Sequence, residues 1–220
     1  MKKKNLLISV GLTFAFIFYT FLVKVVDVKD IGPDHSKVGF SSINGWFHDT
    51  FDYSEVLYKL SEIFGILLLA LAAIYGCIGL IQLIKKMSIK KVDKDLIMLG
   101  SFYVAVILVY LLFEELVINY RPVILEEGLE ASYPSSHTVL ALCVGLSSIF
   151  VSPKYVSKKY LKVTNAVTIL LSLSVLILRL LSGAHWLTDI IGGVLISSAL
   201  LSFFYTFYKP LIEKRNLNER

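Results

Sequence analysis

Apolar residues run along this chain in six long stretches, at roughly 5 to 26, 60 to 84, 96 to 113, 137 to 152, 163 to 182 and 186 to 208. A hydrocarbon core of about 30 Å takes about 20 helical residues to cross, and each stretch meets or approaches that length. Only helices and closed barrels satisfy every backbone polar group in lipid, and none of the stretches alternates in and out as barrel strands do. The pattern predicts an all-α fold: a polytopic membrane protein with six transmembrane helices. The fourth stretch is the shortest. No internal repeat or low-complexity tract breaks the series, so residues 1–220 read as a single transmembrane domain.

The polar connections differ in charge, and that difference sets an orientation. Lys2, Lys3 and Lys4 precede the first stretch, and Lys85, Lys86, Lys90, Lys91 and Lys94 separate the second from the third. Lys154, Lys158, Lys159 and Lys162 separate the fourth from the fifth, and Lys209, Lys214, Arg215 and Arg220 follow the sixth. Basic residues collect on the cytoplasmic side, so both termini are expected inside and the alternate connections outside. The first outer connection is acidic, with Asp27, Asp30, Asp34, Asp49, Asp52 and Glu55. It also holds a mixed aromatic and polar segment, residues 39–48, that suits the membrane interface as an anchor or as a roof over a site. His35 and His48 read as solvated or interfacial.

Composition agrees with a membrane setting: 56% of the 220 residues are hydrophobic and the mean hydropathy is +0.72. The net charge of +5 does not indicate nucleic acid, because the lysines fall in short clusters between apolar runs. The basic N-terminus and first apolar run could be a secretory signal, but the run is long and lacks a small-residue cleavage site, which favours a retained span. Cys77 and Cys143 lie inside apolar stretches and read as small hydrophobes.

Chemistry enters at the outer ends of the stretches. His185 and Asp189 are four residues apart, a spacing that puts both on one helical face and lets Asp189 orient the imidazole as a nucleophile. The alternative is a self-satisfied polar pair capping a helix. Arg121 and Arg179 offer planar, permanently charged forks that fit phosphate oxygens. Each taken alone could instead snorkel to lipid headgroups. Ser135 and Ser136 open the fourth stretch, where free backbone N–H groups hold anions or where a serine simply caps the helix. His137 follows in the first turn, placed to protonate a leaving oxygen. A metal held by His137, His185 and Asp189 is the rival reading, and the nearby arginines oppose it.

Together these segments resemble the type 2 phosphatidic acid phosphatase (PAP2) superfamily, whose signature is Lys-x6-Arg-Pro, then Pro-Ser-Gly-His, then Ser-Arg-x5-His-x3-Asp. The likeness covers nearly the whole chain through Arg121-Pro122, Pro134-Ser-Ser-His137 and Arg179-x5-His185-x3-Asp189. It implies a PAP2-like bundle in which His185 attacks phosphorus, Asp189 orients it and His137 protonates the departing group. Arg121, Arg179, Ser135 and Ser136 would bind the phosphoryl oxygens, with no metal or other cofactor. Three positions depart from the signature: Glu114, followed by Glu115, stands at the lysine, Leu178 at the serine before the second arginine, and Ser136 at the glycine. Glu114 could pair with Arg121 or Arg179, Lys59 could replace the lysine in space, or catalysis could be slow or lost.

The expected function is a cell-membrane lipid phosphatase acting on a lipid phosphate or diphosphate at the extracytoplasmic face. The resemblance points to bacterial relatives acting on undecaprenyl diphosphate, phosphatidylglycerophosphate or phosphatidate. Undecaprenyl diphosphate comes first, because recycling that carrier needs an outward-facing site. A non-hydrolytic lipid-phosphate binding or transport protein and a lipid phosphotransferase are the alternatives on the same fold.

Overall fold

The computed structural model describes residues 2–125 and 128–218; Arg220, counted above among the basic residues, lies outside them. Seven α-helices form among the described residues: α1 (Lys2–Val25), α2 (Ser41–Thr50), α3 (Glu55–Lys86), α4 (Lys94–Glu115), α5 (Ser136–Tyr155), α6 (Lys158–Leu181) and α7 (Leu187–Asn218). All but α2 are long and apolar enough to cross a membrane. The six apolar stretches each become one helix, and most helices outrun their stretch. An apolar run measures contact with lipid, whereas the helix continues into polar turns; α3, for instance, starts where the Ser54 hydroxyl accepts from the Leu57 N–H at 3.4 Å.

The short fourth stretch turns out to be the central helix. α5 packs against α3, α4, α6 and α7. Over half of its span (56%) is buried, against 17% for α1, α3, α4 and α6, so protein rather than lipid covers it. That is why its mean hydropathy is only 1.5. It carries Ser147, Ser148 and Ser152, whose hydroxyls donate to carbonyls three residues back at 3.3, 2.7 and 3.1 Å. Small residues let helices approach where no hydrophobic force pulls them together. Gly145 is the clearest case, since a Cβ there would lie 1.9 Å from the Ser172 hydroxyl of α6.

α2 is a helix that the apolar pattern does not announce. It is ten residues long and buries Ser41, Asn44 and Phe47 on one face, while Ile43 and Trp46 stay exposed on the other. Such two-faced segments suit an interface. The buried face meets the start of α7, where Asn44 Nδ2 donates to Thr188 Oγ1 at 3.0 Å and the Thr188 N–H donates to Asn44 Oδ1 at 3.2 Å.

The two ends of the bundle do different work. At one end Lys154 of α5 contacts Asp93 and Asp95 at 3.1 and 3.0 Å, Tyr155 donates to Asp93 and Gln82 of α3 holds Asp93. Tyr208 of α7 donates to Asp95, so this network ties α3, α4, α5 and α7 together. The opposite end gathers the start of α5, the end of α6, the start of α7 and the connection between α4 and α5. Gly192 and Gly193 let that connection and the first turn of α5 lie directly on α7: a Cβ on Gly192 would sit 2.5 Å from the Tyr133 ring, and one on Gly193 3.0 Å from Thr138. Tyr133 is then held by Thr20 of α1 at 2.7 Å.

Candidate active site

His185 lies in the turn between α6 and α7 and is 3% exposed. Gly183 makes that turn with φ +65, a conformation that favours glycine, and a Cβ there would meet the Phe51 carbonyl at 2.7 Å. Because His185 precedes α7, its relation to Asp189 differs from the expected shared helical face. Asp189 stands in the first turn of α7, where its Oδ2 accepts from the Trp186 N–H at 3.0 Å, the reach-back of a capping box. Its Oδ1 accepts from Asn119 Nδ2 at 3.1 Å, and His185 Nδ1 stands 3.6 Å from Oδ2. Asp189 is thus both a helix cap and the carboxylate facing the histidine, which joins the two readings that the spacing left open.

Arg121 approaches the opposite nitrogen, with Nη1 at 3.2 Å from His185 Nε2. A guanidinium only donates, so this contact makes Nε2 an acceptor and puts the ring proton on Nδ1, toward Asp189. Burial, and then the charges of Arg121 and Arg179, hold the His185 pKa well below the ordinary histidine value, with the Ser132 carbonyl opposing them. The imidazole is therefore neutral at pH 7, as a nitrogen nucleophile must be.

Short pairings in the connection fix Arg121. Its N–H donates to the Glu130 carbonyl at 3.0 Å, Tyr120 and Ala131 form an antiparallel bridge, and Trp186 Nε1 donates to the Tyr120 carbonyl at 2.7 Å. Arg121 Nε contacts Glu130 at 2.7 Å. Arg179, at the end of α6, is fully buried, lies over the Tyr58 ring at 4.2 Å and has Glu62 3.7 Å from Nη2. Among the described residues, none of its three guanidinium nitrogens meets a partner in hydrogen-bond geometry. Leaving such donors unmatched is costly, so this cradle suits an oxyanion.

His137 lies in the first turn of α5, within electrostatic reach of Arg121, Arg179 and His185, and its buried Nδ1 has no partner among the described residues. Ser135 caps α5, accepting from the Thr138 N–H at 3.4 Å and the Thr138 hydroxyl at 3.1 Å, so its side chain is spent on the helix start. Its own N–H donates to the Asp189 carbonyl at 3.0 Å. The N–H groups of Ser136 and His137 begin the first turn, where no intrahelical carbonyl is available. Ser136 and His137 also line a cavity of about 300 Å³ between α4 and α5, with Val106, Ile107, Val109 and Leu140 farther along it.

The structure therefore gathers His185, Asp189, Arg121, Arg179 and His137, and places Ser135 and Ser136 at the helix start beside them. Two expectations about the missing lysine are corrected. Among the described residues Glu114 forms no ion pair with either arginine; Glu130 contacts Arg121 at 2.7 Å, and Glu62 approaches Arg179 to 3.7 Å. Lys59 does not stand in for the lysine, since its exposed side chain pairs with Glu55 at 2.6 Å. Asn44, Asn119, Glu62, Glu130 and Tyr58 went unread in the sequence. The one signal was proximity: Asn119 lies two residues before Arg121. Among the described residues, no group of three or more His, Cys, Asp or Glu comes together to hold a metal ion.

Fold and site define a multi-pass helical membrane protein with a buried histidine set between arginines at one end of its bundle. The chain belongs to the PAP2 superfamily, whose sequence model matches residues 66–213. Its fold is similar to the crystal structure of the PAP2 type phosphatidylglycerolphosphate phosphatase from Bacillus subtilis, with a TM-score of 0.63 and 20% identity. That likeness covers 94% of this chain and 96% of the other. No curated protein sequence matches the chain.

Proposed function

We propose that this chain is a lipid phosphatase that hydrolyses a lipid phosphate or diphosphate through a phosphohistidine on His185, without a metal. The observation that carries this reading is the convergence of a neutral, buried imidazole with the unmatched donors of Arg179 and the Nη1 of Arg121. In the first step His185 Nε2 bonds to phosphorus, the bond to the leaving oxygen breaks, and His137 gives that oxygen a proton. Arg121 moves from Nε2 onto the phosphoryl oxygens, and Arg179 and the α5 N-terminus hold the others. Asp189 takes the charge that develops on the imidazole through Nδ1–H. In the second step water attacks phosphorus, His137 receives its proton, and the P–N bond breaks to release phosphate.

The apolar cavity between α4 and α5 supports a lipid substrate, because it leads from the middle of two spans to His137. The lysine-rich connections lie at the other end of the bundle, so the positive-inside rule supports an extracytoplasmic site in a cell membrane with both termini cytoplasmic. The test is phosphate release by the reconstituted protein from undecaprenyl diphosphate, phosphatidylglycerophosphate and phosphatidate, with EDTA present. Release that survives EDTA and falls by roughly 10⁴-fold in His185→Ala is expected. No release from any lipid, or equal release by the variant, contradicts the reading.

A further inference from the structure

Among the described residues, Glu114 is the carboxylate that lines the α4–α5 cavity. It shares that lining with His137, and Tyr110, one turn earlier on α4, lies within electrostatic reach of Glu114, Arg121 and Glu130. Among the described residues Glu114 forms no ion pair with Arg121, which contacts Glu130, or with Arg179, which Glu62 approaches to 3.7 Å, and it lines the cavity. Among the described residues, Glu62 and Glu130 lie beside the two arginines, Asp189 faces His185 and Glu114 lines the cavity. A fully anionic headgroup entering this site gains from Arg121 and Arg179 but is repelled on the Glu114 side. A headgroup that carries its own cation is attracted on both.

We propose that Glu114 is a specificity determinant that selects a lipid phosphate bearing an ammonium group close to the phosphate ester, on the leaving-alcohol side. This rests on the phosphatase reading above. The side follows from His137: it protonates the leaving oxygen, and Glu114 lines the same cavity. The lipid backbone then lies between the apolar part of the cavity and the phosphoryl site, which brings a 2-amino substituent alongside the carboxylate. The choice of an ammonium over a divalent cation follows from the ligand set. Magnesium seeks octahedral oxygen coordination, whereas one carboxylate beside a phenol oxygen matches the three donors of an ammonium.

The test uses the full chain in vesicles and two synthetic probes, a long-chain 2-aminoalkyl phosphate and its N-acetyl derivative, which differ in the ammonium charge. A partly exposed carboxylate–ammonium contact gives the amine an expected kcat/KM advantage of about five- to tenfold. Glu114→Gln brings the two probes to parity, and Glu114→Lys reverses the preference. Equal values in the parent protein, a preference that persists in Glu114→Gln, or one that EDTA removes each overturn the proposal. If neither probe releases phosphate, the three lipids named above decide for the phosphatase reading, and binding of the same probes, followed by tryptophan fluorescence, decides for Glu114. Tighter binding of the amine that is lost in Glu114→Gln sustains the proposal, and equal affinities overturn it.

Discussion

Asn119 shows how much the reacting residues depend on neighbours that do no chemistry. It is 2% exposed and donates to Asp189 Oδ1, so the carboxylate that faces His185 is held from both sides, by Asn119 and by the Trp186 N–H. Removing one donor from a buried carboxylate costs about 1–3 kcal/mol. Asn119→Ala should lower kcat by about five- to hundredfold, with KM little changed, because the ground-state phosphate contacts belong to the arginines. A rise in KM at constant kcat would move Asn119 out of this role. His185 adds a pH signature. Its pKa is depressed by burial and by Arg121 and Arg179, so the folded protein keeps it neutral below the ordinary value of about 6.5. The unfolded chain takes up the proton there and the folded one does not, so this group's contribution to stability is present above about pH 6.5 and is lost as pH falls toward the folded value. An isotope-labelled imidazole titration should find His185 neutral well below pH 6.5; a midpoint at or above that value would contradict the proposed nucleophile. His185, His137, Asp189 and Arg179 were legible because each combines an unusual residue type with the end of an apolar stretch, and Arg121 because a permanent charge precedes Pro122 in the connection on the same side. Asn44, Asn119, Glu62 and Glu130 were not, because their partners are set by tertiary contacts such as Asn44 to Thr188.

At the scale of elements, glycine and serine decide how the helices meet. The α4–α5 connection reaches α7 only because Gly192 has no side chain against Tyr133. Gly192→Leu should leave the helices intact by circular dichroism, yet displace Ser135 from Asp189 and His137 from His185 and lower phosphate release by at least about tenfold; full activity would show that the connection does not need this approach. The six long helices were readable from apolar runs, since lipid imposes that pattern over about 20 residues. α2 was readable only as an interfacial segment, because its ten residues bury Asn44 and Ser41 beside Phe47 and form no apolar run. The low hydropathy of α5 is the inverse case: a span enclosed by four other helices need not satisfy lipid.

Across the whole molecule the charges divide by end. Lysines cluster on the connections opposite the site, and the Lys154, Asp93, Asp95 and Tyr208 network anchors the bundle there. The site end instead pairs each arginine with an acid and leaves Glu114 toward the cavity. That arrangement leaves one end of the bundle rigidly tied and the other shaped around an anion and the lipid that carries it. The most direct measurement is to quench the reconstituted protein during turnover of a ³²P-labelled lipid phosphate and locate the label by peptide mass spectrometry. Acid-labile, base-stable phosphate on His185, lost in His185→Ala and accumulating in His137 variants given a good leaving group, is the expected result. Turnover without a phosphorylated histidine, or label on another residue, would contradict the nucleophile assigned to His185.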